Sequence, residues 1–344
     1  MYAGPAGQMT SNDRNGSPAV LGLDIGGTKL AAGVVDSAGQ IRSFASAPTP
    51  RAWDAAMKVL LALGDRVVLQ AYLQSADLDG VGIGCGGPLD IAAGTVNGPP
   101  NLPGWDAVPV VDLVQRHFGR PTVLENDGSA AALATYRWGR WSGTENLVYL
   151  TISSGMGSGV IAGGTLFRGA AGNGGEIGHS LVDWRGRLCG CGQRGCAEAY
   201  VSGHSIARRA GEAIDAGRVT VMTATASTAK DVAAAAAGGD RLAGELWDET
   251  TAILGRVVAC VLNTFEPQLV VLGGGVTQAG SMLIDPVRTA ALAQAMPPAA
   301  RAADVVHSSH GAAVGVLGAA AAALVSRGVL GTNSDVWTAL QVAQ

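Results

Sequence analysis

Runs of aliphatic and β-branched residues that stop at glycine clusters recur along the chain and set its rhythm. Residues 19–36, AVLGLDIGGTKLAAGVVD, place two apolar runs around Gly26-Gly27-Thr28-Lys29, which predicts a β-hairpin with a glycine turn. The order strand, glycine turn, strand returns at 147–162: LVYLTI, then Ser153-Ser154-Gly155-Met156-Gly157-Ser158-Gly159, then Val160-Ile161-Ala162. Two such hairpins, one in each half, point to duplicated lobes whose tips face one cleft. A further strand at 269–272 ends in Gly273-Gly274-Gly275-Val276, a glycine elbow ahead of a helix.

Helical spacing of apolar residues predicts helices at 53–75 and 110–118, with a short strand at 80–84 between them. A strand at 121–124 runs into Glu125-Asn126-Asp127-Gly128 and a small-residue helix at 129–136. Helices dominate past 201, at 203–216, 231–237 and 242–264, and the alanine-rich 312–325 reads as a late helix packed closely on either lobe. His307 and His310, near its start, read as surface or capping residues. Gly82, Gly84 and Gly87 satisfy a dinucleotide-binding spacing, but Pro88 and Leu89-Asp90 follow where a helix must begin, so that reading fails. The segment 97–105, NGPPNLPGW, is a stiff proline-rich loop whose amides lose little entropy on binding.

Composition sharpens this picture. At 344 residues the chain exceeds the roughly 250–300 at which a single core stops growing, so two lobes are expected. Only 15% of residues are charged, against about 25% typically, and 51 glycines roughly double the usual share, so many turns must approach something closely. The formal charge is 23 − 27 = −4 without a basic cluster, which argues against a nucleic-acid footprint. No apolar run reaches the roughly 20 residues of a membrane span, and the N-terminus lacks a basic-then-apolar signal. The expectation is a cytoplasmic protein with no membrane partner.

The densest chemistry lies at 179–198, HSLVDWRGRLCGCGQRGCAE. Cys189, Cys191 and Cys196 supply three thiolates and His179 a fourth ligand, the donor set of a closed, structural zinc site. A disulfide with a spare thiol, or unliganded cysteines, are the alternatives. Glu176 and Glu198 flank the loop, either as rigid acceptors for a polyol or as partners of the metal ligands. Asp24 ends a buried strand where metal or phosphate can sit. Asp127, at a strand-to-helix junction, reads first as an N-cap and second as a base for a hydroxyl proton.

Taken in order, LDIGGTK at 23–29, PNLPGW at 100–105, ENDG at 125–128, GNGGEIGH at 172–179, CGCGQRGCAE at 189–198 and VVLGGGV at 270–276 resemble the ROK family of sugar kinases and repressors. The resemblance implies a two-lobed α/β fold, actin-like and hexokinase-type (ribonuclease H-like), with ATP and sugar between the lobes. It implies a tail at 1–18, a small lobe at 19–132, a large lobe with the zinc loop at 133–309, a helix at 310–330 returning to the small lobe, and a tail at 331–344. Asp127 becomes the base for a 6-hydroxyl, and Asn101, Asn126, Glu176, His179 and Glu198 hold the other hydroxyls. Asp24, Gly26, Gly27, Thr28 and Lys29, with Ser154, Gly155 and Gly157, surround the ATP phosphates and Mg2+, and Gly274 and Gly275 the adenosine. Homodimers or homotetramers are implied.

There are departures. Ser153-Ser154-Gly155 stands where the family's turn reads closer to Gly-Thr-Gly, so Ser153 is strained if that position needs positive φ. The loop Cys85-Gly86-Gly87-Pro88 lacks the usual first proline. The activity expected is ATP-dependent glucose 6-phosphorylation, with N-acetylhexosamine phosphorylation as the alternative. A sugar-responsive repressor is remote, because the polar segment before the first hairpin is too short for a DNA-binding fold.

Overall fold

The computed structural model describes residues 18–223 and 228–330. The expected tails, 1–17 and 331–344, lie outside the described residues. In chain order the first half holds β1 (Ala19–Ile25), β2 (Lys29–Asp36), β3 (Ile41–Pro48), α1 (Trp53–Gln70), β4 (Gly80–Cys85), the short β5 (Leu89–Asp90) and β6 (Thr95–Val96), α2 (Val110–Phe118) and β7 (Thr122–Asn126). Helix α3 (Asp127–Trp138) leads to β8 (Leu147–Ile152), β9 (Met156–Ala162), β10 (Thr165–Leu166), α4 (Glu198–Val201), α5 (Gly203–Asp215), α6 (Ala229–Ala237) and α7 (Arg241–Phe265). The chain continues through β11 (Leu269–Gly273), α8 (Ser281–Gln294), α9 (Pro297–Ala302), β12 (Asp304–His307) and α10 (Val314–Ser326).

Two five-stranded sheets result, ordered β3-β2-β1-β4-β7 and β10-β9-β8-β11-β12. Each has an antiparallel meander on one side and two added parallel strands on the other, so the second repeats the topology of the first. Strands β1, β4, β8 and β11 are buried on both faces, as central strands covered by helices must be. Helices α1 and α2 cover the outer face of the first sheet through Met57, Leu60, Val67, Val114 and Phe118. The outer face of the second is covered by α5, α7 and α8 through Ile206, Leu254, Val258, Leu283 and Val287. Helices α3 and α10 fill the layer between the sheets, one side against β1 and β2, the other against β8 and β11.

That middle layer is made of alanine and glycine because the backbones almost touch. A Cβ on Gly82 of β4 would lie 1.8 Å from the Ala319 carbonyl oxygen of α10, and one on Gly22 of β1 would lie 2.3 Å from that of Val316. Between the helices, a Cβ on Gly318 would meet the Ala130 carbonyl carbon at 2.3 Å. The glycine spacing that imitates a dinucleotide fingerprint is therefore partly a helix seat. In the same first turn of α3, a Cβ on Gly128 would stand 2.4 Å from the Ser158 oxygen, and one on Gly159 2.4 Å from the Gly128 oxygen.

Several elements differ from the sequence reading. The return strand of the second hairpin begins at Met156, inside the stretch read as a turn, since Gly157 and Gly159 are strand residues there. After β11 a short 3-10 turn, Gly275–Ala279, precedes helix α8. The edge strand β3, with pattern IRSFASAP, and the four-residue β12 carry too few alternating apolar positions to announce themselves. The division at 132/133 falls inside α3.

Gly82→Ala should cost about 3 kcal/mol or more, because the contact is with backbone that cannot move aside. Gly244, inside α7 with nothing within 4 Å of its would-be Cβ, is the control. Gly244→Ala should stabilise by about 0.5–1 kcal/mol. Urea unfolding of both variants checks the pair.

Candidate active site

The strand ends and hairpin turns of the two sheets converge on one cleft of about 590 Å³. It brings together Asp24, Gly26, Gly27, Thr28 and Lys29 from the first hairpin and Asn101 from the proline-rich loop. Asn126 and Asp127 enter from the β7–α3 junction, and Ser154, Gly155 and Gly157 from the second hairpin. Glu176, His179 and Glu198 line the wall beside the cysteine loop, and Gly274 and Gly275 the elbow after β11.

The junction at Asp127 corrects the capping reading. Asn126 is the N-cap: its Oδ1 accepts from Gly128 N at 2.9 Å and Ser129 N at 3.2 Å. Asp127 is the first helical residue, and its Oδ1 takes the Gly128 N–H at 2.8 Å. Its Oδ2 lies 3.9 Å from where a Gly86 Cβ would be, and Oδ1 3.4 Å from where a Gly157 Cβ would be, so bare backbone flanks the carboxylate. Burial pushes the Asp127 carboxyl up, the Gly128 bond opposes this, and the Glu198 charge adds to it. Asp24 packs against Gly315 of α10, where any Cβ would stand 2.3 Å from its Oδ2. Burial, then the charge of Asp127, pushes Asp24 up to about 7, while Lys29 pulls it down.

Glu198 touches the second hairpin and the cysteine loop at once. Its Oε2 accepts the Met156 N–H of the second hairpin at 2.8 Å, and Cys189 Sγ lies 3.5 Å from its Oε1. One carboxylate thereby braces a glycine turn against the cysteine loop while still lining the cleft. Glu176 is pushed up by burial and drawn down by His179. Glu176 Oε1 and Asn126 Nδ2 converge where a Gly87 Cβ would be, 3.4 and 3.5 Å from it. Asn101 bridges the hairpins: a Cβ on Gly27 would stand 2.7 Å from its carbonyl oxygen, and one on Gly155 3.2 Å from its Nδ2.

The donors of His179, Cys189, Cys191 and Cys196 all lie within 4.8 Å of one another. Cys189 Sγ is 3.7 Å from His179 Nδ1, and Cys191 Sγ is 3.7 Å from Cys196 Sγ. A tetrahedron with Zn–S bonds of about 2.3 Å has edges of about 3.8 Å, so the residues fit zinc. The disulfide alternative fails, since 3.7 Å is far beyond a bonded pair at about 2.05 Å. Burial pushes the Cys189 thiol up to about 12, so a thiolate there calls for a cation. His179 meets the sulfurs through Nδ1, which leaves Nε2 as its second polar atom while the residue also lines the cleft.

The surface reading holds for His307, which is exposed, while His310 is half-buried. His307 ends β12 in the cleft wall, with Nε2 3.1 Å from Thr277 Oγ1, which in turn donates to Gly274 O at 2.8 Å. His310 precedes a 3-10 turn but makes no side-chain cap bond. Thr277, Gln278, Ser308 and Gly315 line the cleft as well, and sequence reasoning did not select them. Only the short VVH run ending beside the glycine elbow hinted at His307. Ser153 is not strained: among the described residues the positive-φ non-glycine ones are Tyr72, Ala107 and Glu266.

Sheets, turns and cleft define a two-lobed α/β sugar-kinase fold of the hexokinase type. The chain belongs to the ROK family, whose pattern matches residues 20–326. It is 34% identical over 309 residues to a glucokinase of Streptomyces coelicolor, covering 87% of this chain and 96% of the relative. It is 37% identical over 306 residues to an N-acetylmannosamine kinase of Shigella boydii, covering 87% and 96%. A Streptomyces griseus ROK glucokinase structure in complex with glucose and AMPPNP superposes with a TM-score of 0.76 at 34% identity, covering 88% and 98%.

Asp24 sets a pH test of stability. Unfolded, it ionises near its ordinary 3.8; folded, only near 7, so ionisation penalises the fold. Stability therefore falls as pH rises from about 4 to 7 and levels off above. Asp24→Asn should raise the melting temperature of metal-free protein at pH 8, with a gain that shrinks towards pH 5. Scanning calorimetry across that range checks it.

Proposed function

We propose that this chain is an ATP-dependent hexokinase acting at the 6-hydroxyl, with glucose as the leading substrate. The observation that carries the reading is the junction at Asp127. Asn126 does the capping, and the Asp127 carboxylate lines the cleft with Gly86 beside one oxygen and Gly157 beside the other. Phosphoryl transfer asks a protein mainly to position an in-line hydroxyl and to neutralise spread negative charge. Asp127 orients the hydroxyl and takes its proton as transfer proceeds, helped by burial that makes the carboxylate more basic. Asn101, Asn126, Glu176, His179 and Glu198 hold the remaining hydroxyls. Asp24 and the turns at 26–29 and 154–157 hold the phosphates with Mg2+, whose charge offsets theirs. Gly274 and Gly275 take the adenosine side.

The zinc in this reading is structural, held by His179, Cys189, Cys191 and Cys196, and it fixes the wall that carries Glu176 and Glu198. We also place the lobes at 19–132 and 133–309 with the 310–330 helix returning to the first. The protein is taken to act as a cytoplasmic homodimer or homotetramer. Among the described residues no helix is long and apolar enough to cross a membrane.

Phosphorylation of an N-acetylhexosamine is the second reading, favoured by the 37% identity to an N-acetylmannosamine kinase. A coupled ATP assay with glucose, N-acetylglucosamine and N-acetylmannosamine separates the two by kcat/KM. A ROK transcriptional regulator also superposes, with a TM-score of 0.75 at 25% identity. The acidic balance and absence of a basic cluster speak against DNA binding, and a salt-dependent shift of duplex DNA in a gel would restore that reading.

Asp127→Ala should reduce turnover by roughly a thousandfold while the protein stays folded. Near-normal turnover in a steady-state assay would remove the assignment. Cys191→Ser should weaken sugar affinity as well as stability; calorimetric titration with sugar that shows unchanged affinity would reduce the loop to a staple.

A further inference from the structure

The loop 168–176 leaves the second sheet, crosses to the first and returns. It starts just after β10 at Arg168. At its far end the Ser158 hydroxyl of β9 donates to Gly175 O, and Ile177 N donates to Ser158 Oγ at 3.2 Å. Both anchors belong to the second sheet. Between them the loop closes on itself, with Gly174 N donating to Arg168 O at 2.7 Å.

Two side chains reach across to the first half of the molecule, one to β7 of the first sheet and one to β5 of the separate two-stranded sheet β5-β6. Arg168 sets Nε at 2.9 Å and Nη2 at 2.7 Å from Glu125 Oε2. Glu125, on β7, is 2% exposed, and its other oxygen accepts the Asn126 N–H at 3.1 Å. The guanidinium thus grips the carboxylate that precedes the Asn126 cap and Asp127. A buried carboxylate that loses its cation is strongly destabilising, so the pair is held together by more than contact. Asn173 forms a two-way clasp on the backbone of Leu89, accepting its N–H at 3.0 Å and donating to its carbonyl at 2.9 Å. Leu89 is buried in the core of the first sheet. The segment that follows these grips carries Glu176 and His179.

We infer that Arg168 and Asn173 are positioning residues, which act through Glu125 and Leu89 to hold the sugar-facing wall of the second lobe in register with Asp127 on the first. The inference rests on the hexokinase reading for its kinetics but not for its structural content. The residues meet no phosphate turn, so their loss should be felt on the sugar side. Misplacing a hydroxyl by about an ångström is enough to cost orders of magnitude in rate.

The test uses the full chain with glucose and ATP, in Arg168→Met, Glu125→Gln, the double variant and Asn173→Ala. Arg168→Met should raise the sugar KM by roughly tenfold and lower kcat, with the ATP KM within about twofold of wild type. The double variant should be no worse than Arg168→Met, because the grip is already lost. Additive losses, or equal rises in both KM values, would overturn the inference. Where Arg168→Met does not fold, Asn173→Ala carries the test: hydrogen exchange at the Leu89 amide should speed up by about tenfold and the sugar KM should rise. Unchanged exchange or an unchanged sugar KM overturns it. If the wild type phosphorylates no hexose, the kinase reading fails and the exchange rate alone decides the clasp.

Discussion

The near-contact of backbones in the middle layer is the constraint on which the rest depends. Gly22 and Gly82 admit α10 onto the first sheet, and Gly318 admits it onto α3 at Ala130. Gly128 and Gly159 in turn seat α3 on β9. Because α3 begins at Asp127 and α10 begins beside Gly315, these seats decide where two carboxylates stand. Asp24 rests on Gly315 and Asp127 lies between Gly86 and Gly157, so small residues bring like charges near enough for the charge of Asp127 to raise Asp24. Under the kinase reading proposed above, a cation would offset these two charges. Interiors packed to crystal-like density do not tolerate an added methyl at points of this kind.

The duplicated topology explains how the cleft acquires two walls of different character. Each sheet offers a hairpin turn from its antiparallel side and elbows from its parallel side. In the first, the turn carries Lys29 and the parallel strands end in Cys85 and Asn126. In the second, the turn carries serines and the parallel strands end in Gly273 and His307. The cysteine loop, inserted after β10 and before α4, adds the third wall.

Much of this was legible because it is local. The glycine turns of both hairpins, the strand running into Glu125-Asn126-Asp127 and the spacing of His179, Cys189, Cys191 and Cys196 are short-range patterns with a mechanism behind them. What escaped was set by distant partners. Adjacent Asn126 and Asp127 are equally good caps by type, and only the fold assigns the role to Asn126. Gly157 and Gly159 look like turn residues, yet they are strand glycines since α3 presses on β9. His307 is a surface residue, as the sequence reading has it, but only the parallel pairing of β12 with β11 places it on the cleft wall beside Thr277. The polar edge strand β3 is fixed by β2 rather than by its own pattern.

Glu198 has one more consequence. It takes a backbone N–H from the second hairpin with one oxygen and faces the cysteine loop with the other, so it ties two segments of the cleft wall together. Under the kinase reading proposed above, a sugar bearing on this carboxylate would also bear on the turn proposed to meet phosphate. Thermodynamic reciprocity would then make the effect of sugar on phosphate affinity equal to the effect of phosphate on sugar affinity.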